Sequence, residues 1–170
     1  MTCRGSLLVL LVAAASACGG PPPEKPAEKS PFETRWLRGV SATEVKTIAQ
    51  QHGLACQGPA LEGGISAWTC ASETPLVQYR VKWYGKAPLK IEYITATVAQ
   101  SGIPKADYVT PLLVALGGLH FEAGDALRQR QWVLGAIASP GEATFGPAKF
   151  KVSGDLGRMT LDMKASGSDW

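Results

Sequence analysis

The spacing of apolar residues divides the chain into three kinds of segment. Residues 7–17 form a continuous apolar run, and residues 19–31 contain no large apolar side chain. From residue 32 onward, apolar and polar positions alternate with the periods of helices and strands. We therefore expect one globular domain over residues 32–170, preceded by two N-terminal segments that do not belong to its core.

The first helix of this domain is predicted to begin after Ser41. Ser41 and Glu44 have the spacing of a capping box, and Val40 and Val45 have the spacing of a hydrophobic staple. Gly53 supplies a residue suited to the left-handed end of a helix. Residues 104–139 also show helical periodicity and are interrupted by Gly117 and Gly118, which indicates two further helices.

Within those two helices, specific residues are expected at the start and in the core. Thr110 is a candidate cap that would place Pro111 in the first turn. Ala126, Val133, Leu134 and Ile137 form the expected apolar stripe of the second helix.

Five segments have the alternation of half-buried strands. They are residues 65–72, 77–83, 89–99, 148–152 and 159–164. The resulting order α-β-β-β-α-α-β-β predicts a single α+β domain with a mostly antiparallel sheet and helices packed on one face. In element order it resembles the type III secretion chaperone-like fold, although that fold ends on a further helix. A likeness of fold alone implies no function.

The N-terminal run is typical of a secretory signal peptide. Arg4 precedes 11 apolar or small residues, whereas a membrane-spanning helix needs ~20. Ala15-Ser16-Ala17-Cys18 resembles a bacterial lipobox, although leucine is commonest in that family where Ala15 stands. The alternative is an ordinary signal peptide cleaved after Ala17, because Ala15 and Ala17 also satisfy the small-x-small rule.

The resemblance to bacterial lipoproteins implies a lipid anchor. Cleavage before Cys18 would remove residues 1–17, and Cys18 would carry acyl chains such as palmitate, inserted in the lipid bilayer. Two or more chains give stable attachment. In that family, Gly19 in place of an aspartate implies the outer membrane if the cell has one, and otherwise the outer face of the cytoplasmic membrane.

Residues 18–31 are expected to form a disordered linker. Five prolines lie between Gly19 and Pro31. At ~3.1 Å per residue, an extended proline-rich linker could hold the domain up to ~40 Å from the bilayer. The chain without residues 1–17 has 16 Lys and Arg against 14 Asp and Glu, a balance of +2 that gives no argument for nucleic acid as a partner.

With Cys3 in the signal peptide and Cys18 lipidated, Cys56 and Cys70 remain as a pair. Disulfides persist in exported proteins, so we predict a structural disulfide between them. A redox or metal pair is the alternative, but the spacing is not Cys-x-x-Cys and no paired histidine lies nearby. His52 is expected in the last turn of a helix, where a contact with the helix dipole is favoured over a catalytic role. His120 is expected in a joint between helices and has no second metal ligand at suitable spacing, so it is interpreted as structural.

The sequence contains no recognised catalytic or nucleotide-binding motif, and no cofactor is predicted. The local charge bias is a basic contact patch formed by Arg80, Lys82, Lys86 and Lys90, with Glu92 as its only acidic neighbour in residues 76–104. It could face anionic lipid or an acidic partner, or it could be a solvated sheet face. Trp68, Tyr79, Trp83 and Trp132 are expected in the core.

These features together predict a membrane-anchored lipoprotein of the cell envelope, facing the periplasm where one exists. Its domain is expected to be a binding or assembly module for another envelope component, such as an envelope protein, or for a ligand. An envelope hydrolase with an unrecognised site is a second hypothesis. A small inhibitor of a secreted enzyme, presenting the loop 57–69, is a third.

Overall fold

The structure is a computed structural model that describes residues 36–86 and 90–168. The predicted signal peptide, Cys18 and the predicted linker lie outside these residues. The described residues contain three helices and seven strands. In chain order they are α1 (Ala42–Gln51), β1 (Ala55–Glu62), β2 (Ile65–Glu73), β3 (Val77–Gly85), β4 (Ile91–Gln100), α2 (Ala106–Gly117), α3 (Ala126–Ala138), β5 (Gly141–Phe145), β6 (Ala148–Asp155) and β7 (Arg158–Ala165).

The strands form one antiparallel sheet in the order β1-β2-β3-β4-β7-β6-β5. The first four strands are neighbours in sequence, and so are the last three. Helices α2 and α3 follow β4 and carry the chain to β5 at the far edge, so that β7 can return beside β4. The predicted α+β class with an antiparallel sheet is confirmed.

The hydrophobic core lies between the three helices and one face of this sheet. Alternate strand residues such as Val81, Ile94 and Leu161 are completely buried, and so are Leu113 and Leu116 of α2. Neighbouring residues in each strand point the other way, because strand side chains alternate between faces. The helices therefore cover one face of the sheet, as the sequence predicts.

Helix α1 begins as its capping residues predict. The Ser41 Oγ accepts a hydrogen bond from the backbone N–H of Glu44 at 3.1 Å, and Val40 and Val45 are buried. The Glu44 carboxylate, however, accepts hydrogen bonds from the backbone N–H of His120 at 3.2 Å and from its ring Nδ1 at 3.0 Å. This side chain therefore ties the start of α1 to the segment after α2.

Helix α2 begins earlier than the proline suggested. Its N-cap is Lys105, so Thr110 and Pro111 lie inside the helix and the prediction of Thr110 as a cap was wrong. Buried side chains before and after the proline, Val109 and Leu112, hold the helix against the sheet. Tertiary packing of an apolar face outweighs the local preference of one exposed proline here.

Two strands were not predicted, and both form edges of the sheet. Strand β1 contains Gly58-Pro59, a pair that is typical of turns, and most of its residues are exposed. Strand β5 follows Pro140, has five residues and contains no fully buried side chain. An edge strand with little buried surface has no clear alternation in its sequence, although it completes the backbone hydrogen bonds of its neighbour.

The apolar stripe of α3 also differs from the prediction at one position. Val133 and Ile137 are buried, whereas Leu134 is 53% exposed. Leu134 follows Val133 directly, and the turn of about 100° between consecutive helical residues places its side chain at the exposed side of the helix.

Candidate binding surface on the uncovered face of the sheet

The face of the sheet opposite the helices is formed by the polar residues that alternate with the core positions. We call it the uncovered face. Its central strands contribute the following residues: Gln78, Arg80, Lys82 and Tyr84 from β3, Tyr93, Thr95, Thr97 and Ala99 from β4, and Arg158, Thr160, Asp162 and Lys164 from β7. Within the described residues no helix packs on this face.

A cleft of about 380 Å³ lies on the uncovered face. Its floor contains the short side chains of Ala71 on β2 and of Thr97 and Ala99 on β4. Each of them lies opposite a longer side chain of β3. Arg80 lies directly opposite both Ala71 and Thr97, and Arg158 lies opposite Ala99. The cleft therefore forms because long side chains border short ones on an otherwise flat surface.

The charges that line the cleft are mostly positive. Arg80, Lys82 and Arg158 border it, against one carboxylate, that of Glu73. The Glu73 Oε1 accepts a hydrogen bond from Gln78 Nε2 at 2.7 Å. Within residues 36–86 and 90–168, no side-chain hydrogen bond or ion pair holds either arginine. Both guanidinium groups can therefore reach a ligand without breaking an existing contact.

Lys82 differs from the two arginines because it has a partner. Its Nζ lies 3.0 Å from Glu62 Oε1 of β1. The hydrogen bond to Glu62 raises the pKa of Lys82, while partial burial acts in the opposite direction. Lys82 therefore stays charged at neutral pH, with its charge balanced locally by Glu62.

The opposite half of the uncovered face contains two tyrosines and a carboxylate. The Tyr93 hydroxyl donates a hydrogen bond to Asp162 Oδ1, and the Tyr84 and Tyr93 rings are stacked with centroids 5.8 Å apart. Burial, reinforced by the hydrogen bond to Asp162, raises the pKa of Tyr93 well above its ordinary value of 10.0. This phenol therefore stays protonated at physiological pH and acts as a donor.

Threonine hydroxyls occupy the middle of the uncovered face. Thr97 and Thr160 form a cross-strand pair whose Oγ1 atoms are 3.2 Å apart. Thr95 also lines the cleft. A hydroxyl that makes one hydrogen bond still has further donor or acceptor capacity, so this row can bind the polar groups of a ligand.

The structure divides the basic patch that the sequence predicted. Arg80 and Lys82 lie on the uncovered face, whereas Lys86 and Lys90 lie where the chain leaves β3 and enters β4. The Lys90 Nζ is 5.5 Å from the centroid of the Trp36 ring, a cation–π contact. Two of the four cations therefore line the cleft, and the other two lie at the connection between β3 and β4.

Arg158 also borders the cleft, although the local charge bias of the sequence did not indicate it. It is 78 positions from Arg80 in the chain, but β4 lies between their strands and brings both to one cleft. The alternation of Arg158, Thr160 and Asp162 with Met159 and Leu161 indicated which face these residues occupy. The pairing of β7 with β4 could not be read from that alternation.

The predicted disulfide between Cys56 and Cys70 is confirmed. The two residues lie directly opposite each other on β1 and β2, with Cα atoms 3.9 Å apart. Cys70 is fully buried on the helix side of the sheet. The bond therefore fastens an edge strand to the core, and residues 57–69 form a paired hairpin rather than an irregular loop.

The four aromatic residues expected in the core lie in it or pack against it, as predicted. Trp83 is buried in the core, and Trp68, Tyr79 and Trp132 are partly buried against it. Trp83 is 1% exposed and stacks on Trp68 with ring centroids 6.1 Å apart. Trp132 packs edge-on against Phe145 and Phe150. The ring contacts of Trp132 therefore join α3 to β5 and β6.

A second cleft of about 330 Å³ lies beside the start of α2, the end of α3 and the β6–β7 turn. Its walls are largely apolar, including Ile137, Leu156 and Met159. The carboxylate in its lining belongs to Asp155, which accepts hydrogen bonds from the backbone N–H groups of Gly157 and Arg158. The cleft on the uncovered face has the richer set of available polar groups.

The described residues contain no cluster of three or more histidine, cysteine or acidic side chains placed to hold a metal ion. None of the helices they form has the length and apolar character needed to span a membrane. No protein-family model, curated protein or solved structure matches this chain.

Proposed function

We propose that this protein is a lipid-anchored component of the cell envelope and that its domain binds another envelope component through the uncovered face. The observation that carries the binding proposal is the cleft on that face, bordered by two arginines whose side chains have no partner among the described residues. Three helices bury the other face, so the uncovered face is the broad polar surface from which several strands present side chains together.

The lipid anchor is proposed from the sequence around Cys18. The apolar run, the small residues before Cys18 and the proline-rich linker after it support this assignment. The beginning of the domain is compatible with it, because the Leu37 N–H donates to the carbonyl of Ile91 at 2.7 Å and so fixes the chain at one end of the sheet.

The anchor is tested by replacing the lipid-bearing cysteine. Cys18→Ala should abolish metabolic labelling with a palmitate analogue and release the protein from the membrane fraction, because the thiol proposed to receive the lipid would be missing. Cys3→Ala is the matched control and should retain both properties. Labelled, membrane-bound Cys18→Ala protein would contradict the assignment.

The binding surface is tested by photo-crosslinking in intact envelopes. A photoreactive residue at Gln78, an exposed position beside the cleft, should give discrete crosslinked products. The same residue at Thr47, exposed on α1, is the control and should give few. Equal product patterns from both positions would mean that the uncovered face is not the binding surface.

A further inference from the structure

We infer that the cleft on the uncovered face binds an anionic glycan, and that Arg80 and Arg158 donate hydrogen bonds to its carboxylate, phosphate or sulfate groups. The inference rests on the proposed function, since it names the ligand class for the same face. It differs from the basic patch predicted from the sequence, Arg80, Lys82, Lys86 and Lys90, because it pairs Arg80 with Arg158 from a distant strand and names the class of ligand.

The two arginines provide the charge recognition. They lie on β3 and β7, two strand spacings or about 10 Å apart across the sheet and offset by two residues or about 7 Å along it, because Arg80 is opposite Thr97 and Arg158 is opposite Ala99. Between them lie Thr97 and Ala99, which are short enough to let both guanidinium groups extend over the strand that separates them. A guanidinium donates two parallel hydrogen bonds to an oxyanion, and an arginine without an existing partner need not break one first.

The rest of the face suits the neutral part of a sugar chain. From Gln78 to Tyr84, β3 presents the face over about 20 Å, long enough for an oligosaccharide of several units. Thr95, Thr97 and Thr160 offer hydroxyls along this length. The part-exposed ring of Tyr84, beside Lys82, offers a flat apolar surface against which the C–H face of a sugar can pack.

Arg158 lies away from the place where the described chain joins the sheet. Trp36 and Leu37 lie beside the start of β4, against Lys90 and Ile91. Arg158 pairs with Ala99, at the other end of β4. Arg158 therefore lies toward the end of β4 opposite the one that contacts Trp36 and Leu37.

The test uses the purified full chain with Cys18→Ser, so that lipid does not obscure binding. Isothermal titration calorimetry measures binding of two anionic probes, tetragalacturonate and a heparin tetrasaccharide, with neutral maltotetraose for comparison. Arg80→Gln/Arg158→Gln removes the two cleft cations. Lys46→Gln/Arg128→Gln removes two exposed cations from α1 and α3 and is the matched control.

At least one anionic probe should bind more tightly than maltotetraose, and the cleft variant should weaken it by about tenfold or more. The control variant should retain the original affinity. Circular dichroism and thermal melting should be alike for both variants, which excludes unfolding as the cause. Failure of both anionic probes to bind, or an equal loss in the control variant, would overturn the inference.

Two competing ligands complete the test. An oligoglutamate peptide and phosphatidylglycerol-containing vesicles are titrated in the same way. Tighter, arginine-dependent binding of either one would assign the cleft to an acidic protein or to the membrane and overturn the glycan inference. Crosslinks from Gln78 in intact envelopes would still support the proposed binding function in that case, so the two proposals fail separately.

Discussion

Tyr93 shows how a single side chain on the uncovered face responds to its surroundings. Its hydroxyl is partly removed from water and donates to Asp162, and both effects raise its pKa above the ordinary value of 10.0. Above pH 10 the unfolded chain loses the phenolic proton while the folded protein keeps it. The unfolded state then binds fewer protons, so the free energy of unfolding falls as pH rises.

Tyr93→Phe should remove this contribution. The free energy of unfolding of the wild type should fall more steeply above pH 10 than that of the variant, by up to about 1.4 kcal/mol per pH unit. Urea denaturation at a series of pH values measures the two slopes. Between pH 7 and 8 the difference between the proteins should be constant. Parallel curves above pH 10 would contradict the raised pKa.

Gln129 is a buried polar residue that joins two helices. It is fully buried, and with its side-chain amide oriented so that the nitrogen faces the end of α2, that nitrogen donates to the carbonyls of Gly117 and Leu119, both at 3.1 Å. The carbonyls at the end of a helix lack partners within the helix, so Gln129 of α3 completes the end of α2.

Gln129→Leu should therefore destabilise the protein although leucine has a similar volume. Two buried carbonyls would lose a partner, and each such loss costs about 1–3 kcal/mol. Chemical denaturation measures the change. Gln131→Leu, at an exposed position of the same helix, is the control and should change stability little. Similar losses in the two variants would show that the amide hydrogen bonds are unimportant.

At the scale of elements, the edge strand β1 depends on a covalent bond more than on burial. Most of its residues are exposed, and Cys56 joins it to fully buried Cys70. Closing a loop of about 15 residues is worth ~3 kcal/mol in the chain-entropy model. The central strands β3, β4 and β7 instead owe their stability to apolar contact with the helices.

Cys56→Ala/Cys70→Ala should therefore loosen one edge of the sheet. We expect a loss of up to ~3 kcal/mol in the free energy of unfolding. Hydrogen exchange should accelerate in residues 55–62 and stay slow in residues 94–98, where alternate side chains are fully buried. Unchanged exchange in residues 55–62 would mean that backbone pairing alone holds β1.

The elements that the sequence predicted well are those with one strongly buried face. The alternation of Val81 and Trp83 with Lys82, and of Met159 and Leu161 with Thr160, marked β3 and β7 because burial acts on every second residue. Strands β1 and β5 bury too little to leave that pattern. The cleft was beyond prediction for another reason: sequence pattern gives the face of each residue but not which distant strands pair.

At the scale of the whole molecule, the charge is nearly balanced and binding must depend on local groups. The chain without residues 1–17 carries a formal charge of only +2, from 16 basic and 14 acidic residues. Such a balance produces weak long-range attraction. The arginines of the cleft, which have no side-chain partner among residues 36–86 and 90–168, are therefore the groups that would distinguish an anionic glycan from a neutral one.

This reasoning predicts how glycan binding depends on salt. When ionic strength rises from about 0.1 M to about 1 M, the screening length falls from about 10 Å to about 3 Å, so exposed charge pairs weaken. The affinity for the anionic probe that binds should fall over this range, whereas any residual binding of maltotetraose should not. Calorimetry at several salt concentrations measures both. Arg80→Gln/Arg158→Gln should lose most of the salt dependence, while Lys46→Gln/Arg128→Gln should keep it, because only the first pair borders the ligand. A salt dependence that is equal in the two variants would place the attraction elsewhere on the surface.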